Sequence, residues 1–75
     1  MSVRTVSQLQ KGEKAIIRSF TDRVMSLKLL EMGCVPGCEV RLDAVAPLGD
    51  PICINVGGSY SLSLRLNEAS TIEIE

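Results

Sequence analysis

Four alternating runs decide the fold: Glu39-Val40-Arg41-Leu42-Asp43-Ala44, Ile52-Cys53-Ile54-Asn55-Val56, Ser61-Leu62-Ser63-Leu64 and Ile72-Glu73-Ile74. In each, apolar residues recur at every second position, the period of a strand with one buried face. Val40, Leu42 and Ala44 are expected on the buried side of the first run, and Ile52, Ile54 and Val56 on that of the second. Pro47-Leu48-Gly49-Asp50-Pro51 and Gly57-Gly58 separate the runs; both are turn sequences, and the second signals a tight hairpin.

Upstream, Glu13 to Phe20 contains Ala15-Ile16-Ile17, a β-branched run suited to another strand. Before it, Thr5 to Leu9 is expected to form one helical turn, ahead of a turn at Lys11-Gly12. The period then changes. Asp22 suits a helix N-terminus, after which Met25, Leu29 and Met32 fall at i, i+4 and i+7 on one face. Gly33 ends the helix, and Pro36-Gly37 fits the central positions of a type II turn. The expectation is a mostly β domain spanning residues 1–75. One-sided antiparallel strands manage their edges by closing, so the domain should be a small, partly open SH3-like β-barrel of about five strands, with one helix inserted after the first.

Composition narrows the functional classes. With 75 residues there is room for one domain, and 45% hydrophobic content places it among folded chains. Phe20 and Tyr60 are the only aromatics, so the core must be aliphatic. Eight basic residues are dispersed among nine acidic ones, for a formal charge of −1, which argues against a nucleic-acid partner. No apolar run approaches the roughly 20 residues of a membrane span, and Met1-Ser2-Val3-Arg4 leads into no signal-peptide region; a cytoplasmic location is the expectation. Histidine is absent, and neither a nucleophile–base pair nor a P-loop or dinucleotide fingerprint is present, so no enzymatic activity is expected.

Four motifs occur in order: Leu29-Leu30-Glu31-Met32-Gly33, then Pro36-Gly37, then Ala46-Pro47-Leu48-Gly49-Asp50-Pro51-Ile52, then Leu62-Ser63-Leu64-Arg65. Together with Glu68-Ala69 and Ile72-Glu73-Ile74, this pattern resembles the FeoA domain family. The resemblance implies an SH3-like barrel and an association with FeoB, a membrane ferrous-iron transporter with a cytoplasmic GTP-binding domain. The same domain occurs behind a DNA-binding helix-turn-helix in metal-dependent repressors. This chain shows no such upstream region, which favours the transport accessory. A regulatory domain contacting a repressor, a nucleic-acid-binding module and a thiol-based iron carrier are the alternatives.

Gly33, Pro36, Gly37, Gly49, Asp50 and Pro51 are the most recognisable residues, and turn chemistry explains each; Asp50 is expected to bond its neighbours' amides. The helix offers a binding hypothesis. Leu27 and Leu30, with Val24 beside them, make a second apolar side. Either they widen the core stripe, or they face a partner: the cytoplasmic portion of the transporter, or a second copy in a homo-oligomer. Family members commonly carry a basic residue at the position of Leu27.

Cys34, Cys38 and Cys53 are odd in number, as expected of free thiols in a reducing compartment. A closed tetrahedral site usually takes four Cys or His ligands, more than these three cysteines supply without histidine, so no metal or other cofactor is expected. Cys34, two residues past the helix end and usually aliphatic in the family, reads as a small core residue. The purified protein should therefore fold without iron or zinc. Thermal melts with and without chelator should coincide, and anaerobic titration should show no stoichiometric submicromolar ferrous site, a threshold of about 8 kcal/mol.

Overall fold

A computed structural model describes residues 4–75. A 3-10 turn at Val6–Gln8 leads into β1 (Lys14–Phe20), α1 (Arg23–Glu31), β2 (Glu39–Val45), β3 (Ile52–Val56), β4 (Tyr60–Leu64), α2 (Leu66–Ala69) and β5 (Ile72–Ile74). The five strands form one antiparallel sheet in the order β4-β3-β2-β1-β5. Every strand read from the sequence is present, and the main helix follows the first strand as expected. The sheet does not close, however. β4 and β5 are its two edges and share no ladder, and the chain travels between them through α2, whose Ala69 is fully buried.

Two bulges bend the sheet. In β1 the register shifts between Ile17 and Ser19, so the inward residues Ile17 and Phe20 are three apart and pair with Ile74 and Ile72. In β2 the shift lies between Leu42 and Ala44: Leu42 pairs with Ile54 and Val45 with Ile52. An extra residue kinks a strand and exchanges its faces beyond the kink. This corrects the reading of Ala44. It pairs with Cys53 and is exposed rather than buried beside Val40 and Leu42.

The enclosed core is aliphatic, with Ile17, Val40, Ile54, Val56 and Ile72 from the strands, Val6 from the first turn and Leu29 from α1. No charged or polar side chain among the described residues is buried.

Capping explains where α1 begins and ends. The Asp22 carboxylate accepts from the Met25 N–H at 2.9 Å, one of the first-turn amides that lack helical partners. At the other end Gly33 takes φ +82°, its N–H donates to Leu30 O at 3.0 Å, and the Cys34 N–H donates to Leu29 O at 2.8 Å. These two bonds make a Schellman end, which buries Cys34 completely. Met32 is thereby the C-cap and remains 40% exposed, so it does not share the core face with Leu29; Met25 is half-buried.

Past the helix, Val35 to Cys38 form the expected turn, with Cys38 N–H bonded to Val35 O and Gly37 at φ +94°. Asp50 behaves differently from expectation. Its Oδ1 accepts the Leu66 N–H at 2.9 Å, tying the loop between β2 and β3 to the start of α2. The sequence reading missed α2. Its signal is Glu68, which accepts the Arg65 N–H at 2.9 Å and stands three residues after it, as in a capping box.

Burial pushes the Cys34 thiol up to about 11, with nearby Cys38 adding to the effect. Since 9.0 is the ordinary value, the native state holds its proton more tightly, and the resulting stabilisation, fully present below about pH 9, should be lost as pH rises toward 11. Native-state alkylation should label Cys53 first, then Cys38, with Cys34 resistant; mass spectrometry finding Cys34 labelled first would refute the helix end described here. Ile54→Ala, at a side chain with no exposed surface, should cost about 2–5 kcal/mol in denaturant unfolding.

Candidate partner-binding surface

The described residues enclose no pocket, and among them no three His, Cys, Asp or Glu side chains converge on a common point. The features that distinguish this molecule lie on its surface.

α1 is amphipathic in an unusual sense, because both its faces carry apolar residues. Leu29 enters the core with no exposed surface, whereas Val24 is 69%, Leu27 59% and Leu30 44% exposed. These three follow one another at i, i+3 and i+6, neighbours along one ridge of a helix. The exposure separates the two readings of Leu27 and Leu30: they do not widen the core stripe. Arg23 and Lys28 flank the ridge and are exposed, a charged rim beside an apolar centre. Apolar exposure continues along the chain through Met32 and Val35.

The ridge is held in a defined position. The Tyr60 hydroxyl of β4 donates to Met32 O, so the last turn of α1 is pinned to the sheet. A side chain at Gly33 would bring its Cβ within 3.3 Å of Tyr60 Oη, and the positive φ there already disfavours one. Pro36 and Gly37 lie in the turn that follows, and the Gly37 N–H donates to Ile17 O at 2.8 Å, stitching the helix exit to β1. Gly33, Pro36 and Gly37 thus lie in the one segment that carries the chain from the end of α1 back alongside β1. Gly49, Asp50 and Pro51 lie in the loop between β2 and β3, where the Gly49 N–H bonds Ala46 O at 2.7 Å and the Ala46 N–H bonds Pro51 O at 3.0 Å. At the tip of that loop Leu48 is 96% exposed, a feature that the turn chemistry of the sequence left unremarked.

The electrostatics of the surface are mild. Arg4 pairs with Glu13 at 2.8 Å and Arg41 with Asp43 at 2.7 Å, both pairs partly exposed. Bonds from the Gln10 amide and then from Arg4 hold the Glu13 carboxyl below its ordinary range. Burial, and then the neighbouring Cys34 and Cys38, raise the Tyr60 phenol above its ordinary value.

Comparison with known proteins gives one family match and a wider likeness of fold. Residues 4–75 match the model of the FeoA domain. A Porphyromonas gingivalis protein, a fusion of Fe(2+) transport protein A with the Fe(2+) transporter FeoB, is 37% identical over 71 residues. Those residues are 93% of this chain and 8% of the fusion. The zinc-complexed crystal structure of Stenotrophomonas maltophilia FeoA, described as a prokaryotic SH3 domain protein, aligns with a TM-score of 0.83 at 31% identity, over 96% of this chain and 89% of that one. A manganese-dependent transcriptional repressor aligns with a TM-score of 0.87 at only 14% identity, over 100% of this chain and 37% of its own. That likeness is one of fold alone. The fold is accordingly SH3-like, and the chain belongs to the FeoA domain family.

Proposed function

We propose that this domain is a non-catalytic accessory of ferrous-iron transport that docks on the cytoplasmic portion of a FeoB-type transporter through the α1 ridge of Val24, Leu27 and Leu30. The observation that carries the reading is the fused relative, in which a domain 37% identical to this one shares a chain with the transporter. Fusion keeps two parts at high effective concentration. Where such a domain and the transporter are separate chains, a binding surface must supply the same proximity. The ridge offers one: three apolar side chains, each more than two-fifths exposed, on a helix fixed at both ends. The reading places the domain in the cytoplasm, and no helix of the described residues is long and apolar enough to cross a membrane.

Association should be measured against the separated cytoplasmic and membrane parts of the transporter. The cytoplasmic part should retain this protein, and Leu27→Glu should weaken that binding tenfold or more. Burying a leucine side chain contributes about 1.5–3 kcal/mol, and about 1.4 kcal/mol is a factor of ten. Because Leu27 is 59% exposed, the variant's melting temperature should stay close to that of the parent. Leu48→Glu serves as the comparison: if it abolishes binding while Leu27→Glu does not, the loop between β2 and β3 is the docking surface instead.

A further inference from the structure

The two edges of the sheet differ. On β5 the outer edge is covered: Thr5 bridges to Glu73, and the Ile74 N–H donates to Arg4 O at 3.0 Å. The opposite edge, β4, has no such cover among the described residues. Register fixes which groups it presents. The Gly57 N–H donates to Glu39 O at 2.7 Å, so the odd residues of β3 face β2 and Ile52, Ile54 and Val56 face β4. These three pair with Leu64, Leu62 and Tyr60. The alternation of an antiparallel ladder then turns the N–H and C=O groups of Ser61 and Ser63 outward. None of those four groups has a hydrogen-bond partner among the described residues.

An open edge is ordinarily blunted by charge, proline or a bulge. β4 has none of these: Tyr60-Ser61-Leu62-Ser63-Leu64 is uncharged and lacks proline, and its ladder with β3 runs without a register shift. The strand is also nearly symmetric about Leu62. We infer that β4 is a self-association edge, on which a second copy of this chain adds its own β4 antiparallel, about a two-fold axis at Leu62.

In that register Ser61 lies opposite Ser63 of the second copy and exchanges both backbone bonds with it, and the symmetric pair does the same, so all four outward groups are satisfied. Leu62 meets Leu62 across the axis at a non-hydrogen-bonded position, where side chains approach most closely. Leu62 is half-buried in the monomer, so apolar surface remains for that contact. Tyr60 lies opposite Leu64, but Leu64 is already buried in the monomer, so the apolar contact across the axis rests on Leu62. A two-fold interface requires a surface complementary to itself, and this strand satisfies that requirement residue by residue.

Sedimentation over a concentration series, with amide exchange at Ser61 and Ser63, tests the inference. The wild-type protein should form a concentration-dependent dimer in which those two amides exchange more slowly than in the monomer. Ser61→Pro removes an outward donor while leaving the β3–β4 ladder intact, and should weaken the dimer at least tenfold. A S61K/S63K double variant keeps both amides but sets lysines opposite lysines on exposed positions, and should do the same if the proline variant folds poorly. Leu27→Glu should dimerise as the wild type does, which separates this edge from the α1 ridge. A wild-type protein monomeric at millimolar concentration would overturn the inference. So would a folded S61K/S63K variant that dimerises normally, or loss of the dimer on Leu27→Glu alone.

Discussion

The hydrogen bond from the Cys34 amide to the Leu29 carbonyl organises more of this molecule than its size implies. It folds the chain back at the end of α1, which drives Cys34 into the core and fixes the rotation of the helix. With Leu29 and Cys34 both inside, Leu27 and Leu30 have nowhere to go but outward. The same reversal delivers the chain to the Val35–Cys38 turn. From there Ile17 is bonded on both sides, its N–H to Cys38 O and its C=O to the Gly37 N–H. Together with buried Leu29 and the Tyr60 bond to Met32 O, this local closure gives the helix a defined azimuth on a sheet that it meets over a small area.

Geometry at single residues separates what was legible in the sequence from what was not. The strands and the helix could be read because period two and period 3.6 are properties of the chain itself. So could the caps: Asp22, Gly33 and the Pro36-Gly37 turn each act within a few residues of their own position. The bulges could not. Asp43 looks like an ordinary outward residue, and only the competing need to pair Leu42 with Ile54 and Val45 with Ile52 makes an extra residue necessary. Asp50 illustrates the same limit, since its partner is the Leu66 amide, 16 residues away. The apolar ridge of α1 was visible as a pattern, but whether it faced the core depended on the helix rotation set by Cys34. Local rules carry local structure; long-range partners enter only with the fold.

The chain also manages with few devices. Its core is aliphatic, its described ion pairs are partly exposed and its cysteines are free, so its stability rests chiefly on packing. Partly exposed pairs of this kind contribute little, typically below about 1 kcal/mol. A small domain held by one apolar cluster has little margin for further buried polar groups, which fits a molecule that presents its distinctive residues on the outside.

Tyr60 has a practical consequence. Phe20 is the only other aromatic residue and tryptophan is absent, so the ultraviolet emission of this protein comes from one phenol. That phenol spans the junction between β4 and α1 by donating to Met32 O. Lifting the helix end off the sheet would break that bond and expose the phenol, whose burial raises its pKa, so its emission and its ionisation should both respond to helix docking. The molecule contains its own optical gauge of helix docking, readable without a label and undiluted by signal from elsewhere in the chain.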